Sequence, residues 1–181
     1  MLVFLLAGRA WAEAVPAKNQ ALLLLRILAY DHNLGSRSES GKVTIVVAYK
    51  PGNADSEDVA NGMVTILQDI AKSTTIANNS VTVVRLGCTE KTFDADMSRI
   101  KAAAIYVASG LGDNVGTITS TTQSRKVLSF SGVPDYVSSG VAVGFSLDDG
   151  KPAILVNLPA SRSEGADLDV ALLRVAKIVK K

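Results

Sequence analysis

The sequence contains one cysteine, Cys88, and one histidine, His32. A single cysteine forms no intrachain disulfide. One cysteine and one histidine are also too few for a zinc site built from His and Cys ligands. We expect Cys88 to be a buried structural thiol, the alternative being a reactive or cross-linking one. His32 follows Asp31 at the predicted end of a helix, where consecutive side chains point about 100° apart and form no catalytic dyad. A cation near a helix C-terminus is stabilising, which explains His32 without catalysis.

An excess of charge of one sign is also lacking. Lys and Arg number 19 and Asp and Glu 17, giving a formal net charge of +2, and no basic run is present. This balance disfavours nucleic acid and membrane surfaces as partners. Beyond the first residues, no segment approaches the roughly 20 apolar residues of a membrane span, so we expect no stable membrane insertion. The composition, 48% apolar and 20% charged, is that of a globular chain with room for one domain.

The start of the chain differs from domain sequence. Residues 2–7 form a short apolar run, and residues 10–12 (AWA) fit the small-x-small rule for signal peptidase. The basic region expected before the run is missing, as if the true start lay upstream. We predict a signal peptide over residues 1–12, the alternative being a buried N-terminal helix, and a single domain over residues 13–181. The mature protein would then be exported and soluble.

Apolar, β-branched runs alternate with segments of helical periodicity. The runs predict four strands: residues 42–49, 80–86, 103–109 and 126–131. The helical segments are residues 17–34, 59–72, 92 or 94 to 101, and 115–125. Strands that alternate with helices imply right-handed crossovers and a mostly parallel sheet with helices on both faces. The predicted fold is a three-layer α/β sandwich of flavodoxin-like or Rossmann-like type.

The first and last helices carry specific expectations. Leu22 lies on the apolar stripe of the first helix, and Gly35 supplies its C-terminal stop. The final amphipathic helix starts at Asp167 or Asp169 and continues nearly to the end of the chain, with Val175 facing inward.

Two apolar runs before that helix predict a β-hairpin. Residues 141–147 and 153–158 bracket the sequence DDGKP, in which Gly150 can adopt positive φ. An antiparallel strand added at the edge of a parallel sheet is common. We therefore predict that the sheet is finished by a C-terminal antiparallel strand.

A glycine-rich segment follows the third predicted strand. Gly110, Gly112 and Gly116 precede a helix, where dinucleotide-binding loops lie, but their spacing is one residue off that fingerprint. Asp113 puts an anion where a pyrophosphate would need amide donors. Tight strand-to-helix turns demand glycine anyway, so the segment gives little support to nucleotide binding.

Two carboxylate pairs are the remaining candidates for chemistry. Asp94 with Asp96, and Asp148 with Asp149, could hold a cation, but neither pair matches a calcium loop. The Walker pattern is absent, and no set of residues forms a catalytic motif. We expect no catalytic residue, no metal and no cofactor.

Binding is the function class that remains. In an open α/β sheet, ligands bind beyond the carboxyl ends of the strands, where the strand order reverses. Tyr49, Lys50 and Asn53 follow the first predicted strand, and Gly110 and Asp113 follow the third. These residues form the predicted ligand-binding rim. Tyr49 and Lys50 suit an anionic or aromatic ligand, the alternative being that they are ordinary surface residues.

Four short blocks carry a resemblance to a known family. They are residues 140–145 (GVAVGF), 149–151 (DGK), 156–160 (VNLPA) and 172–176 (LLRVA). Their structural motif residues are Gly144, Phe145, Gly150 and Asn157, the last of which we expect to satisfy backbone groups at the strand end. Together they resemble the YfiR-like family of exported bacterial proteins.

The resemblance implies a small periplasmic regulator. Such proteins restrain an inner-membrane diguanylate cyclase by binding its periplasmic sensory domain, which couples envelope conditions to cyclic-di-GMP output. Tyr30 and Leu34 stand where the family has an aromatic segment and are the expected partner contacts, although Leu34 also fits a core position. Redox control through disulfides is not carried over, because Cys88 is alone, and a homodimer stays open.

Two other functions stay open beside the regulator. A small-ligand-binding module, related to one lobe of a periplasmic solute-binding protein, would bind its ligand near Tyr49, Lys50 and Gly110. An enzyme would need a converging polar constellation, which the sequence does not reveal.

Overall fold

The computed structural model describes residues 14–179, so the predicted signal peptide lies outside the described residues. The strands are β1 (Lys42–Tyr49), β2 (Thr75–Ile76), β3 (Asn79–Gly87), β4 (Ala102–Val107), β5 (Leu128–Ser131), β6 (Val143–Asp148), β7 (Lys151–Val156) and β8 (Lys177–Ile178). The helices are α1 (Ala17–Ala29), α2 (Leu34–Arg37), α3 (Ala54–Ala71), α4 (Phe93–Arg99), α5 (Val115–Arg125), α6 (Pro134–Ser138), α7 (Leu158–Ser163) and α8 (Val170–Val175). In this part of the chain, no helix has the length and apolar character needed to cross a bilayer.

The strands form one sheet in the order β2-β3-β1-β4-β5-β6-β7-β8. The five central strands run parallel to one another, in the order β3, β1, β4, β5 and β6. β2 and β7 are antiparallel to β3 and β6, and β8 is parallel to β7. The chain moves from β1 to β3 on one side and then crosses to β4 on the other, so the strand order reverses between β1 and β4. The predicted α/β fold, mostly parallel with an antiparallel hairpin, is confirmed.

Apolar side chains cover both faces of the sheet, as the central strands of a parallel sheet require. On one face, Val43, Ile45 and Val47 of β1 join a core that includes residues of α1 and α3. On the other face, Val46 and Ala48 join a core with residues of α4 and α5. This double burial explains why the sequence of β1 is almost continuously apolar.

β6 and β7 form the expected hairpin. Asp148 pairs with Lys151, and the two residues between them, Asp149 and Gly150, have φ values of 48° and 74°. Positive φ at both central positions defines a type I′ turn, whose twist matches that of the flanking strands. Gly150 therefore has the conformation that the sequence suggested.

Gly144 and Phe145 fix the packing at the start of this hairpin. The Phe145 ring stacks on Phe130 of β5, with centroids 6.3 Å apart and planes inclined by 17°. A Cβ added at Gly144 would overlap Cγ2 of Val137 in α6. The glycine thus allows α6 to lie directly on the sheet.

The first helix is shorter than predicted. α1 ends at Ala29 instead of continuing to Gly35, which lies inside α2. The carboxylate of Asp31 accepts the N–H of Asp167 at 2.9 Å, and this long-range contact holds the chain in a turn. Leu22, expected on the apolar stripe, is 47% exposed. Periodicity alone placed one residue too many on the buried face.

The last helix is also shorter than predicted. α8 begins after Asp169 as expected, but it ends at Val175, whose side chain is 73% exposed. The predicted continuation as a helix is wrong because Lys177 and Ile178 pair with the outer edge of β7. Nζ of Lys177 also lies 2.6 Å from Oδ2 of Asp148 at the hairpin turn. The sheet therefore gains an edge strand beyond the predicted one.

Gly144→Ala should lower the free energy of unfolding by about 1–3 kcal/mol, because the added methyl forces α6 away from the sheet. Urea unfolding measures this loss. Gly116→Ala in α5 is the matched control, since a Cβ there meets nothing within 4 Å. It should be neutral or stabilising by up to about 1 kcal/mol. Equal losses in the two variants would show that Gly144 is not required by packing.

Candidate functional site

The carboxyl ends of β1 and β4 bring together four of the five residues predicted for ligand binding. Nζ of Lys50 lies 3.3 Å from Oδ2 of Asp113. A Cβ added at Gly110 would lie 3.4 Å from Cγ of Asn53. The strand order reverses between these strands, which is where open α/β sheets form ligand crevices. We call this place the switch-point rim.

Hydrogen bonds fix the two loops of the rim. Asn53 begins α3, where its Oδ1 accepts the N–H of Ser56 at 2.9 Å. The fully buried Ser56 accepts the N–H of Lys50 through its hydroxyl oxygen, also at 2.9 Å. Gly110 has φ of 83°, and a Cβ there would lie 3.2 Å from Cβ of Ser56. The backbone of Lys50 is thus held rigidly, while Gly110 is fixed by conformation and close approach.

Tyr49, the fifth predicted residue, contacts a neighbouring strand. The guanidinium carbon of Arg85, on β3, lies 3.6 Å from the centroid of the Tyr49 ring. This cation–π contact engages one face of the ring. Arg85 was not predicted, because only the pairing of β1 with β3 brings it to Tyr49.

The glycine-rich loop contacts a side chain that the sequence did not single out. A Cβ added at Gly112 would lie 3.9 Å from the hydroxyl oxygen of Tyr136, so this hydroxyl lies beside the loop backbone. Burial raises the pKa of Tyr136, and these backbone contacts oppose the rise. Tyr136 lies on α6, a helix with no clear sequence signal.

The ion pair between Lys50 and Asp113 is the accessible part of the rim. The lysine side chain is 39% exposed and that of Asp113 is 89% exposed. Exposed ion pairs are worth about 0–1 kcal/mol and are screened by salt. An anion in solution can therefore compete with Asp113 for the lysine ammonium.

The residues expected to contact a partner have different environments. Leu34 is buried and packs in the core, in line with the core alternative. Tyr30 is 39% exposed, and its carbonyl accepts the N–H of Asp169 at 2.9 Å. Of these two residues, only Tyr30 is exposed to contact a partner.

Tyr30 belongs to a surface that we call the Tyr30 patch, formed with His32, Asp167, Asp169 and Val170. The His32 ring lies between two carboxylates, with Nδ1 3.4 Å from Oδ2 of Asp167 and Nε2 3.1 Å from Oδ2 of Asp169. Val170 is a large exposed apolar side chain next to them. His32 therefore joins the segment after α1 to the C-terminal segment, a contact that the sequence did not predict.

A buried polar cluster lies at the amino ends of the parallel strands, opposite the switch-point rim. Arg37 pairs with Asp31, and both side chains are almost completely buried. Nη1 of Arg37 also donates to the main-chain oxygen of Glu164 at 3.3 Å. Burial lowers the pKa of Arg37 to about 10, although the charge of Glu164 opposes this shift. No sequence pattern predicted this cluster, because its members come together only through tertiary contacts.

A family model described as YfiR/HmsC-like matches residues 17–177. The chain belongs to the YfiR/HmsC-like family. The match confirms the resemblance seen in the carboxy-terminal blocks and extends it over nearly all the described residues. No curated protein matches the chain.

Solved structures share the fold of this YfiR/HmsC-like protein. A conserved domain protein from Vibrio cholerae O1 biovar El Tor has a TM-score of 0.68 at 15% identity and covers 93% of this chain and 61% of its own. An ABC domain in complex with L-Trp from Streptococcus pneumonia has a TM-score of 0.62 at 14% identity, with coverages of 91% and 62%. A ligand-free, open substrate-binding protein with adhesive properties from Clostridium difficile has a TM-score of 0.59 at 15% identity, with coverages of 94% and 62%. The chain spans about three fifths of each of these structures.

Two residues have the structural roles expected of them in this YfiR/HmsC-like chain. The buried Asn157 donates from Nδ2 to the carbonyl of Val137 at 3.0 Å and accepts the N–H of Ala160 at 3.1 Å, which caps α7. Cys88 is buried, and desolvation raises the pKa of its thiol to about 11. Such a thiol is a poor nucleophile at neutral pH.

The carboxylate pairs are engaged with basic side chains. Asp94 accepts two hydrogen bonds from Arg125, at 2.9 and 2.8 Å, which hold the pKa of Asp94 below its usual value. Asp148 pairs with Lys177. Within residues 14–179, no three His, Cys, Asp or Glu side chains come together in a way that could hold a metal ion.

Ser56→Ala should destabilise the protein by about 1–3 kcal/mol, because it leaves the N–H of Lys50 without its hydroxyl acceptor. Lys50→Ala is the matched control, since it removes only a half-exposed ion pair and should change stability by less than about 1 kcal/mol. Thermal or urea unfolding measures both. A larger loss in the lysine variant would mean that the ion pair, and not the buried hydroxyl, holds the rim.

Proposed function

We propose that this protein is an exported, non-enzymatic regulator that binds the periplasmic sensory domain of a membrane-bound diguanylate cyclase and represses it. The observation that carries the proposal is the YfiR/HmsC-like match over residues 17–177. The expected signal peptide, residues 1–12, supports export to the periplasm. Repression requires only that the regulator binds the inactive state of the cyclase more tightly than the active state.

The Tyr30 patch is the surface proposed for this contact. Tyr30 is 39% exposed, and its carbonyl accepts the N–H of Asp169, the neighbour in sequence of the exposed, apolar Val170. Aromatic side chains are enriched at interfaces, where they bury large areas at low entropic cost. Asp167 and Asp169 both contact the His32 ring, and because one imidazole cannot neutralise two carboxylates, the patch favours a partner that brings a basic group to this point.

Tyr30→Ala should weaken binding to the isolated sensory domain by about tenfold or more, which corresponds to about 1.4 kcal/mol. Val59→Ala is the matched control, because Val59 on α3 is 38% exposed where Tyr30 is 39% exposed. Isothermal titration measures the affinities, and cellular cyclic-di-GMP should rise when the gene is deleted.

Failure of the folded wild-type protein to bind any sensory domain of a cyclase from its own genome would overturn the regulator proposal. Equal losses in the two variants would move the interface away from Tyr30 without affecting the proposal itself.

A second candidate function is binding of a small anionic or aromatic ligand at the switch-point rim. Two observations favour it. Lys50, Asn53, Gly110 and Asp113 converge where the strand order reverses. Two structures with the same fold are described as a complex with L-Trp and as a substrate-binding protein. An amino acid, through its carboxylate, is the ligand class that these observations suggest.

Thermal-shift screening against amino acids, nucleotides and sugars tests the second candidate. A ligand at 100 times its dissociation constant adds about 2.7 kcal/mol of stability. Lys50→Ala should remove the shift, whereas Lys18→Ala, at an exposed position on α1, should keep it. If no ligand shifts the melting temperature and the cyclase domain binds tightly, the second candidate is excluded and the regulator proposal is retained.

A further inference from the structure

Glu164 completes the sheet at a point where a strand is missing. Its side chain is fully buried after the end of α7. Oε2 accepts the N–H of Ser129 in β5 at 2.8 Å. β6 begins only opposite Phe130, at Val143, so no strand residue of β6 stands beside Ser129. The carboxyl group of Glu164 thus replaces a strand as the partner of that amide.

The charges around Glu164 do not neutralise its carboxylate directly. Arg37 on α2 donates to the main-chain oxygen of Glu164, and the charge of Arg37 is already paired with Asp31. Lys126, which follows α5, donates to the carbonyl of Ser163 at 2.8 Å. Among the described residues, the direct partners of the carboxyl oxygens are Thr122 and Ser129, which are neutral.

The oxygen–oxygen distances around Glu164 are compatible with a protonated carboxyl group. Oγ1 of Thr122 lies 2.5 Å from Oε1 of Glu164 and 3.1 Å from the carbonyl oxygen of Thr119. The hydroxyl carries one proton, and a carbonyl can only accept. When Thr122 donates to Thr119, a hydrogen bond to Glu164 therefore needs a proton from the carboxyl group. The hydroxyl of Ser129 accepts the N–H of Ala142 at 2.9 Å and remains free to donate to Oε1.

We propose that Glu164 is a proton-linked switch: its protonated side chain holds the C-terminal segment, residues 157–179, against α5 and β5, and loss of the proton weakens this attachment. Burial raises the pKa of Glu164 to about 7, and the hydrogen bonds of Thr122 and Ser129 with the charge of Arg37 reduce the rise. The switch does not depend on the proposed function. It acts on the segment that contributes Asp169 and Val170 to the Tyr30 patch.

The direction of the pH effect follows from the protons bound in each state. When the C-terminal segment is detached (the open form), the carboxyl group of Glu164 is in water and its pKa is near the ordinary value of 4.5. When the segment is attached (the closed form), the pKa is about 7. Between these values the closed form holds one more proton. The attachment is therefore strongest at or below about pH 4.5, weakens as the pH rises through this window, and changes no further above about pH 7.

Carbon-13 NMR of the Glu164 side-chain carboxyl, in the full chain, is the first test. A titration midpoint near pH 7 is expected. A midpoint at or below about pH 5 overturns the proposal, because the buried carboxyl would then be ionised under all physiological conditions. This measurement uses the wild-type protein and does not depend on the folding of a variant.

Hydrogen exchange, expressed as protection factors, is the second test. Amides of residues 164–179 should lose protection by up to about tenfold per pH unit between about pH 5 and 7, while amides of β1 keep theirs. Glu164→Gln, which cannot ionise, should remove this dependence. Glu90→Gln, at an exposed position, should retain it. Protection of the C-terminal segment that is independent of pH in the wild type overturns the switch.

Discussion

Burial of the parallel strands on both faces is the constraint on which the rest of the structure depends. Every position of β4, Ala102–Val107, is buried, so its backbone polar groups must find partners inside the sheet. Polar side chains enter the interior mainly where a ladder of strand hydrogen bonds ends. Ser56 accepts the N–H of Lys50 just beyond β1, and Glu164 accepts the N–H of Ser129 before β6 begins. The positions of the buried polar groups thus follow from the lengths and offsets of the strands.

Different side chains satisfy the free backbone groups at the carboxyl ends and at the amino ends of the parallel strands. At the carboxyl ends, the groups that complete the backbone are neutral: the amide of Asn53 and the hydroxyl of Ser56. At the amino ends they include Arg37 and Glu164, which ionise. A hydrogen bond between a neutral side chain and the backbone has the same free energy at any pH. A hydrogen bond between the backbone and an ionisable side chain in a low-dielectric interior links packing to proton binding. On the proposal made for Glu164, packing is therefore linked to pH at the amino ends of the strands.

Local chemistry allowed the sequence to predict most of the sheet. The apolar run of β1, the Asp149-Gly150 turn and the cap at Asn157 depend on neighbours in sequence, and the structure has them where the pattern placed them. The switch-point rim could be anticipated because it follows from strand order. The ends of α1 and α8, and the cluster around Glu164, could not, because they depend on contacts between residues more than 20 positions apart. Where a tertiary hydrogen bond ends a helix early, the periodic pattern of apolar residues continues beyond the end of the helix.

The two candidate binding surfaces differ in what a partner must displace. At the switch-point rim, Arg85 covers the ring of Tyr49, Tyr136 contacts the glycine-rich loop and Asp113 pairs with Lys50. A small ligand gains only what remains after it replaces these internal contacts, and small ligands have few atoms with which to do so. At the Tyr30 patch, the aromatic ring is exposed and the nearby carboxylates already contact His32. The proposed protein partner would bury apolar area there without first breaking an internal contact of Tyr30, which favours the patch over the rim as the site of the proposed interaction.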